Sequence, residues 1–177
     1  MKSIRLSVFF CFLFAMSVAA MDENLFQNPD FKPFPHARGK ITALYSPWYT
    51  TLKFDIDKGM NGGRALCGKT SDTEKIKNNQ LSTEVNIPKA GKYIVSINYK
   101  ADAPVELLRC LRVFKNREGK DDYQVVVQEQ PEPGKWATLM AEFEFKEPQK
   151  ATFAFQAHTK NATTIWWNSP SIVKKEE

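Results

Sequence analysis

Three segments of this chain alternate apolar and polar residues with a period of two, a rhythm that only an extended strand lying on a core can use. In KYIVSINYK, Tyr93, Val95, Ile97 and Tyr99 share one face, while Ser96, Asn98 and Lys100 share the other. In ATFAFQAH, Ala151, Phe153, Phe155 and Ala157 oppose Thr152, Ala154, Gln156 and His158. LMAEFEF sets Leu139, Ala141, Phe143 and Phe145 against Glu142 and Glu144. Turn signals punctuate these runs: Asn61-Gly62-Gly63, Lys89-Ala90-Gly91, Asp102-Ala103-Pro104, Arg117-Glu118-Gly119 and Pro131-Glu132-Pro133-Gly134. VELLRCLRVF, YQVVVQ and IWWNSPSIV add further strand candidates. Ser71 and Glu74 have capping-box spacing, but that helix signal ends by Asn78-Asn79. Strands with one apolar face and almost no helix predict an all-β fold, a two-sheet antiparallel β-sandwich.

The first residues follow a different rule. MKSIRLSVFFCFLFAMSVAAM carries Lys2 and Arg5, then an apolar stretch from Leu6, then small residues ending at Ala20. This is the order of a secretory signal, so residues 1–20 are expected to be removed and 21–177 to form one domain. The stretch from Leu6 to Met21 contains 16 residues, short of the roughly 20 that a membrane-spanning helix needs. A secreted or periplasmic product without a membrane span is expected. Phe9, Phe10, Phe12 and Phe14 belong to the signal, and the remaining phenylalanines fall largely at inward strand positions.

Losing Lys2 and Arg5 takes the formal net charge from +5 to +3. The lysines are scattered and form no basic run, which disfavours a nucleic-acid partner. Cys67 and Cys110 remain after cleavage. Export permits a bridge between them, worth about 3–4 kcal/mol on chain-entropy grounds, while two free thiols acting as small hydrophobes is the competing reading.

Several segments, in order, resemble one family. NLFQNPDF at 24–31 is similar to the opening of carbohydrate-binding modules of families four, nine and twenty-two. Trp48 in SPWYT, GGRALCGKT, NNQLSTEVNIPKAGKYIVSINYKAD, GKWATLMAEFEF and TIWWNSPSI follow in the family's order. The resemblance covers residues 24–172 and implies a galactose-binding-like β-jelly roll. It also implies structural, core-packed roles for Trp48 and Trp136. Many members hold a calcium ion between the opening segment and the last strand through carboxylates. Here Lys32, Asn168 and Ser169 stand at those positions. An ammonium and an amide are poor substitutes for hard anionic ligands, so no metal is expected there, and no cofactor elsewhere.

Sugar binding by a sandwich needs polar side chains to meet hydroxyls and an aromatic ring to meet an apolar sugar face. The outward residues Ser96, Asn98, Lys100, Gln156 and His158, with Arg109 or Arg112, are candidates for the first role. Tyr45, Trp48, Tyr49, Trp166 and Trp167 are candidates for the second. Adjacent Trp166 and Trp167 must point to opposite faces, and the outward ring is the best stacking candidate. The expected binding set is Asn98, Lys100, Arg112, Gln156, His158 and Trp167. The outward faces of KYIVSINYK and ATFAFQAH are expected to line one groove.

Catalysis is not expected. Gln156-Ala157-His158 is similar to the Gln-x-His strand of jelly-roll alginate lyases, but LLRCLR matches their Arg-rich strand poorly and no Tyr-x-Lys segment follows. Glu142 and Glu144 read as solvent-face glutamates rather than a hydrolytic pair. His36 sits alone in a Pro-flanked loop. The favoured reading is a secreted non-catalytic module for a polysaccharide or glycan. Only VKKEE follows Ile172, so the module is expected to stand alone. This leaves a second reading, an exported structural or protein-interaction β-sandwich whose partner is a cell-surface protein.

Overall fold

A computed structural model describes residues 23–32, 48–50, 54–70, 77–115, 121–128 and 132–176. The expected signal at 1–20, His36, Tyr45 and the Ser71–Glu74 helix signal lie outside the described residues. Among the described residues ten strands run β1 (Tyr49–Thr50), β2 (Phe54–Lys58), β3 (Arg64–Lys69), β4 (Lys77–Ile87), β5 (Gly91–Ala101), β6 (Leu107–Lys115), β7 (Asp121–Gln128), β8 (Ala137–Phe145), β9 (Gln149–Thr159) and β10 (Thr164–Lys174). A 3-10 turn, Met60–Gly62, joins β2 to β3. The strands form two antiparallel five-stranded sheets, a first with order β1-β4-β9-β6-β7 and a second with order β2-β3-β10-β5-β8. This is the all-β two-sheet sandwich that the alternation predicts, of the jelly-roll type that the resemblance implies.

The core lies between the sheets and is built by the alternation itself. Tyr93, Val95, Ile97 and Tyr99 on β5 and Leu139, Ala141, Phe143 and Phe145 on β8 are buried from one side. Ala151, Phe153, Phe155 and Ala157 on β9, with Leu81, Val85 and Ile87 on β4, are buried from the other. Phe153 meets Phe143 edge to face, with centroids 5.5 Å apart across the two sheets. Burying such rings is worth about 1.5–3 kcal/mol each and dominates the fold's stability.

Two devices close the sandwich. Pro170 interrupts β10, a central strand, because proline has no N–H to give the ladder. The register of β10 against β5 shifts between Asn168 and Ser171, and Ser169 takes a φ of 49°. The N-terminal segment repairs the break: Asn24 donates to the Pro170 carbonyl (3.0 Å) and accepts from the Ile172 amide (2.9 Å). The second device is Trp48, buried as the resemblance implies. Its Nε1 donates to the carbonyls of Gln27 and Asn28 while its ring packs on Phe26 and Phe31.

Cys67 and Cys110 are free thiols. Cys110 pairs with Phe155 on the core side of the first sheet, and Cys67 pairs with Trp166 in the second sheet. Of the two readings of these cysteines, the structure carries the unbridged one.

Candidate functional site

The outer face of the first sheet holds a polar row that crosses three strands. Register places Gln156 of β9 between Gln80 of β4 and Arg109 of β6. Arg109 Nε donates to Gln156 Oε1 at 2.6 Å, Gln156 Nε2 donates to Gln80 Oε1, and Gln80 Nε2 donates to Ser82 Oγ at 3.4 Å. Arginine can only donate, so it fixes the direction of every bond in the row. Gln156 must turn its oxygen to Arg109 and its amide nitrogen to Gln80, and Gln80 repeats the arrangement toward Ser82. Gln156 is only 5% exposed although its strand position faces away from the core.

Two further side chains flank the row. Tyr49 of β1 pairs with Ser82, and it is 61% exposed. His158 lies two residues beyond Gln156 on the same face, opposite Leu107. Its Nε2 is buried without a hydrogen-bond partner among the described residues. Burial, followed by the neighbouring Arg109 charge, pushes the His158 pKa below its ordinary value and favours the neutral ring. Glu84 is engaged by Lys150 and Glu106 by Lys160, and Arg109 has no carboxylate partner among the described residues.

The outer face of the second sheet is organised differently. Lys100 Nζ sits 4.1 Å from the Trp166 ring centroid and 5.2 Å from that of Trp136, a cation held between two indoles. Trp166 Nε1 donates to Asp57 Oδ2 at 2.8 Å, and this bond is the main cause holding the Asp57 carboxyl below its ordinary pKa. Asn98 donates to Asn168 Oδ1 and accepts from Thr138 Oγ1. Asn168 in turn donates to the Arg64 carbonyl at 2.6 Å. A carboxylate at 168 could not make that last bond, because it has no hydrogen to give. Gly59 must stay small, since an added Cβ would collide with the Asn168 amide.

The six residues expected to bind ligand are therefore not brought together. Gln156 and His158 lie on the outer face of the first sheet, whereas Asn98 and Lys100 lie on the outer face of the second. The single groove expected from β5 and β9 does not form, because these strands belong to opposite sheets and their outward sides point apart. Arg112 pairs with Phe153, on the alternate set of β6 positions from Arg109; its side chain lies outside the described residues. Trp167 is fully buried, with its ring against Tyr99 and Phe155 and its Nε1 donating to Asn79 Oδ1. The outward indole of the pair is Trp166. Trp136, expected in the core, is half-buried on the outer face above Lys100. Gln80 and Ser82 were missing from the expected set. Their signal is the alternation of NNQLSTEVNI, whose polar positions fall opposite Leu81, Thr83, Val85 and Ile87.

No protein-family model and no curated protein matches the chain. Solved structures do. A family 61 carbohydrate-binding module in complex with β-1,4-galactotriose superposes with a TM-score of 0.56 at 16% identity, covering 86% of this chain and 99% of that one. The CBM22-1 xylan-binding domain from Paenibacillus barcinonensis Xyn10C gives 0.60 at 14% identity, covering 88% and 97%. The C-terminal family 22 module of Clostridium thermocellum Xyn10B gives 0.59 at 10% identity, covering 87% and 96%. The likeness is one of fold: these modules share the two-sheet β-sandwich that the ordered sequence matches imply.

Proposed function

We propose that this chain is an exported, non-catalytic module, one domain over residues 21–177, that binds a polysaccharide or glycan. The binding surface is the outer face of the first sheet. One observation carries this reading: the Arg109–Gln156–Gln80–Ser82 row, in which a nearly buried amide is held in a fixed orientation on an outward strand position. Oriented polar groups beside the exposed Tyr49 ring supply both contacts a sugar needs. Neighbours of the same fold that bind galactotriose and xylan support the reading.

The non-catalytic part rests on what surrounds the candidate acids and bases. Glu142 is engaged by Lys92 and Lys175. His158 faces a guanidinium rather than a carboxylate that would orient it as a base. Native gels cast with galactan, xylan or polyuronate test the proposal. Retardation in at least one gel, reduced when Gln156 or Tyr49 becomes Ala, is the expected result. Unretarded migration in every gel overturns it.

A further inference from the structure

We infer that the glycan taken by this face is acidic, with a uronate carboxylate received by Arg109. The inference rests on the glycan-binding reading above and narrows it to a chemical class.

Arg109 is half-buried in the middle of the first sheet, between β9 and β7. A guanidinium removed from water is stable when a carboxylate shares its charge or when hydrogen bonds satisfy its donors. Arg109 has one such bond, from Nε to Gln156, and no acidic neighbour among the described residues. The acids that approach this region, Glu84 and Glu106, are paired to lysines of their own. The second sheet shows what a satisfied cation looks like here: Lys100 lies between two indoles, one of which donates to Asp57.

The bond at Nε also fixes the plane of the guanidinium and leaves the N–H groups on its terminal nitrogens to face a ligand. That planar fork matches a carboxylate bidentately, a geometry a single hydroxyl cannot use. Hydroxyls of a neutral sugar would accept hydrogen bonds and leave the charge uncompensated. A uronate does both. His158, held neutral beside Arg109, adds no competing charge and brings a buried nitrogen without a partner among the described residues.

The test compares each acid with its own neutral form. Polygalacturonate and a glucuronate-bearing xylan are titrated beside their carboxyl-reduced counterparts, with β-1,4-galactan as a neutral control. Wild-type protein is expected to bind at least one acid form about tenfold or more tighter than its reduced form, the size of one charge-assisted contact. Arg109→Gln should erase that preference, while Arg109→Lys, which keeps the charge without the fork, retains part of it. The preference should also shrink as salt is raised. If Arg109→Gln fails to fold, judged by near-ultraviolet circular dichroism, the Arg109→Lys and salt arms still decide. Equal or tighter binding of reduced forms or galactan overturns the acidic assignment and leaves glycan binding standing. Binding of none of these sugars overturns both.

Discussion

The two outer faces of the sandwich are made of similar residues and differ in how those residues are used. On the second sheet, polar and aromatic groups answer one another: Trp166 with Asp57, Lys100 with two indoles, and Asn98 with Asn168 and Thr138. On the first sheet, the row begins at a guanidinium with no carboxylate partner, beside a histidine nitrogen with no hydrogen-bond partner, both among the described residues. An outward amide or ring is therefore weak grounds for a binding site. The distinguishing property is hydrogen-bonding capacity that the fold itself leaves unused.

The largest expected effect falls on both faces alike. Trp167 joins the sheets, touching Phe155 on one and Tyr99 on the other. Trp167→Ala should cost about 3–5 kcal/mol in denaturant unfolding, the range for truncating a buried aromatic. A loss confined to binding, with unchanged stability, would show that this ring is not the core element described above. The next effect separates the faces. Gln156→Ala should weaken glycan affinity by about tenfold, while Asn98→Ala leaves it unchanged in the same titration. Equal losses from both would break the comparison.

A smaller effect sharpens it. Lys100→Ala removes the cation from between Trp136 and Trp166 and should lower stability by about 1 kcal/mol or less, with no change in sugar binding. The smallest effect is a pH dependence at His158. Its folded pKa lies below the ordinary 6.5, so the unfolded chain takes up the proton first as the solution is acidified. This contribution is fully present above pH 6.5 and is lost as pH falls through the lower folded value. A series of unfolding curves from pH 7.5 to about 4.5 should show a decline that His158→Gln flattens.

Much of this fold is written in the period-two pattern, and the limits of that pattern are equally clear. Alternation separates the inward Tyr93, Val95, Ile97 and Tyr99 from the outward Asn98 and Lys100, because neighbouring side chains on a strand leave by opposite faces. It does not reveal the sheet to which a strand belongs. That choice depends on pairing between segments far apart in the chain, which is why β5 and β9 read as one surface and stand on opposite sides. Nor does it decide between Trp166 and Trp167, since either parity is self-consistent until register places Trp167 against Leu66 and Tyr99. Gln156 was legible as an outward amide. Its partners Gln80 and Arg109 become neighbours only through the ladders of β9 with β4 and β6.

The central claim is that one particular face binds the glycan, and side-chain NMR reads both faces in a single titration. With nitrogen-labelled protein, the Arg109 Nε–H and the amides of Gln80 and Gln156 report on the first sheet. The indole N–H groups of Trp136 and Trp166 and the amide of Asn98 report on the second. Adding an oligogalacturonide, or another uronate oligosaccharide that the protein binds, should shift the first group progressively while the second stays fixed. Shifts centred on Trp136, Trp166 and Asn98, with the Arg109 and Gln156 signals unmoved, would contradict the account.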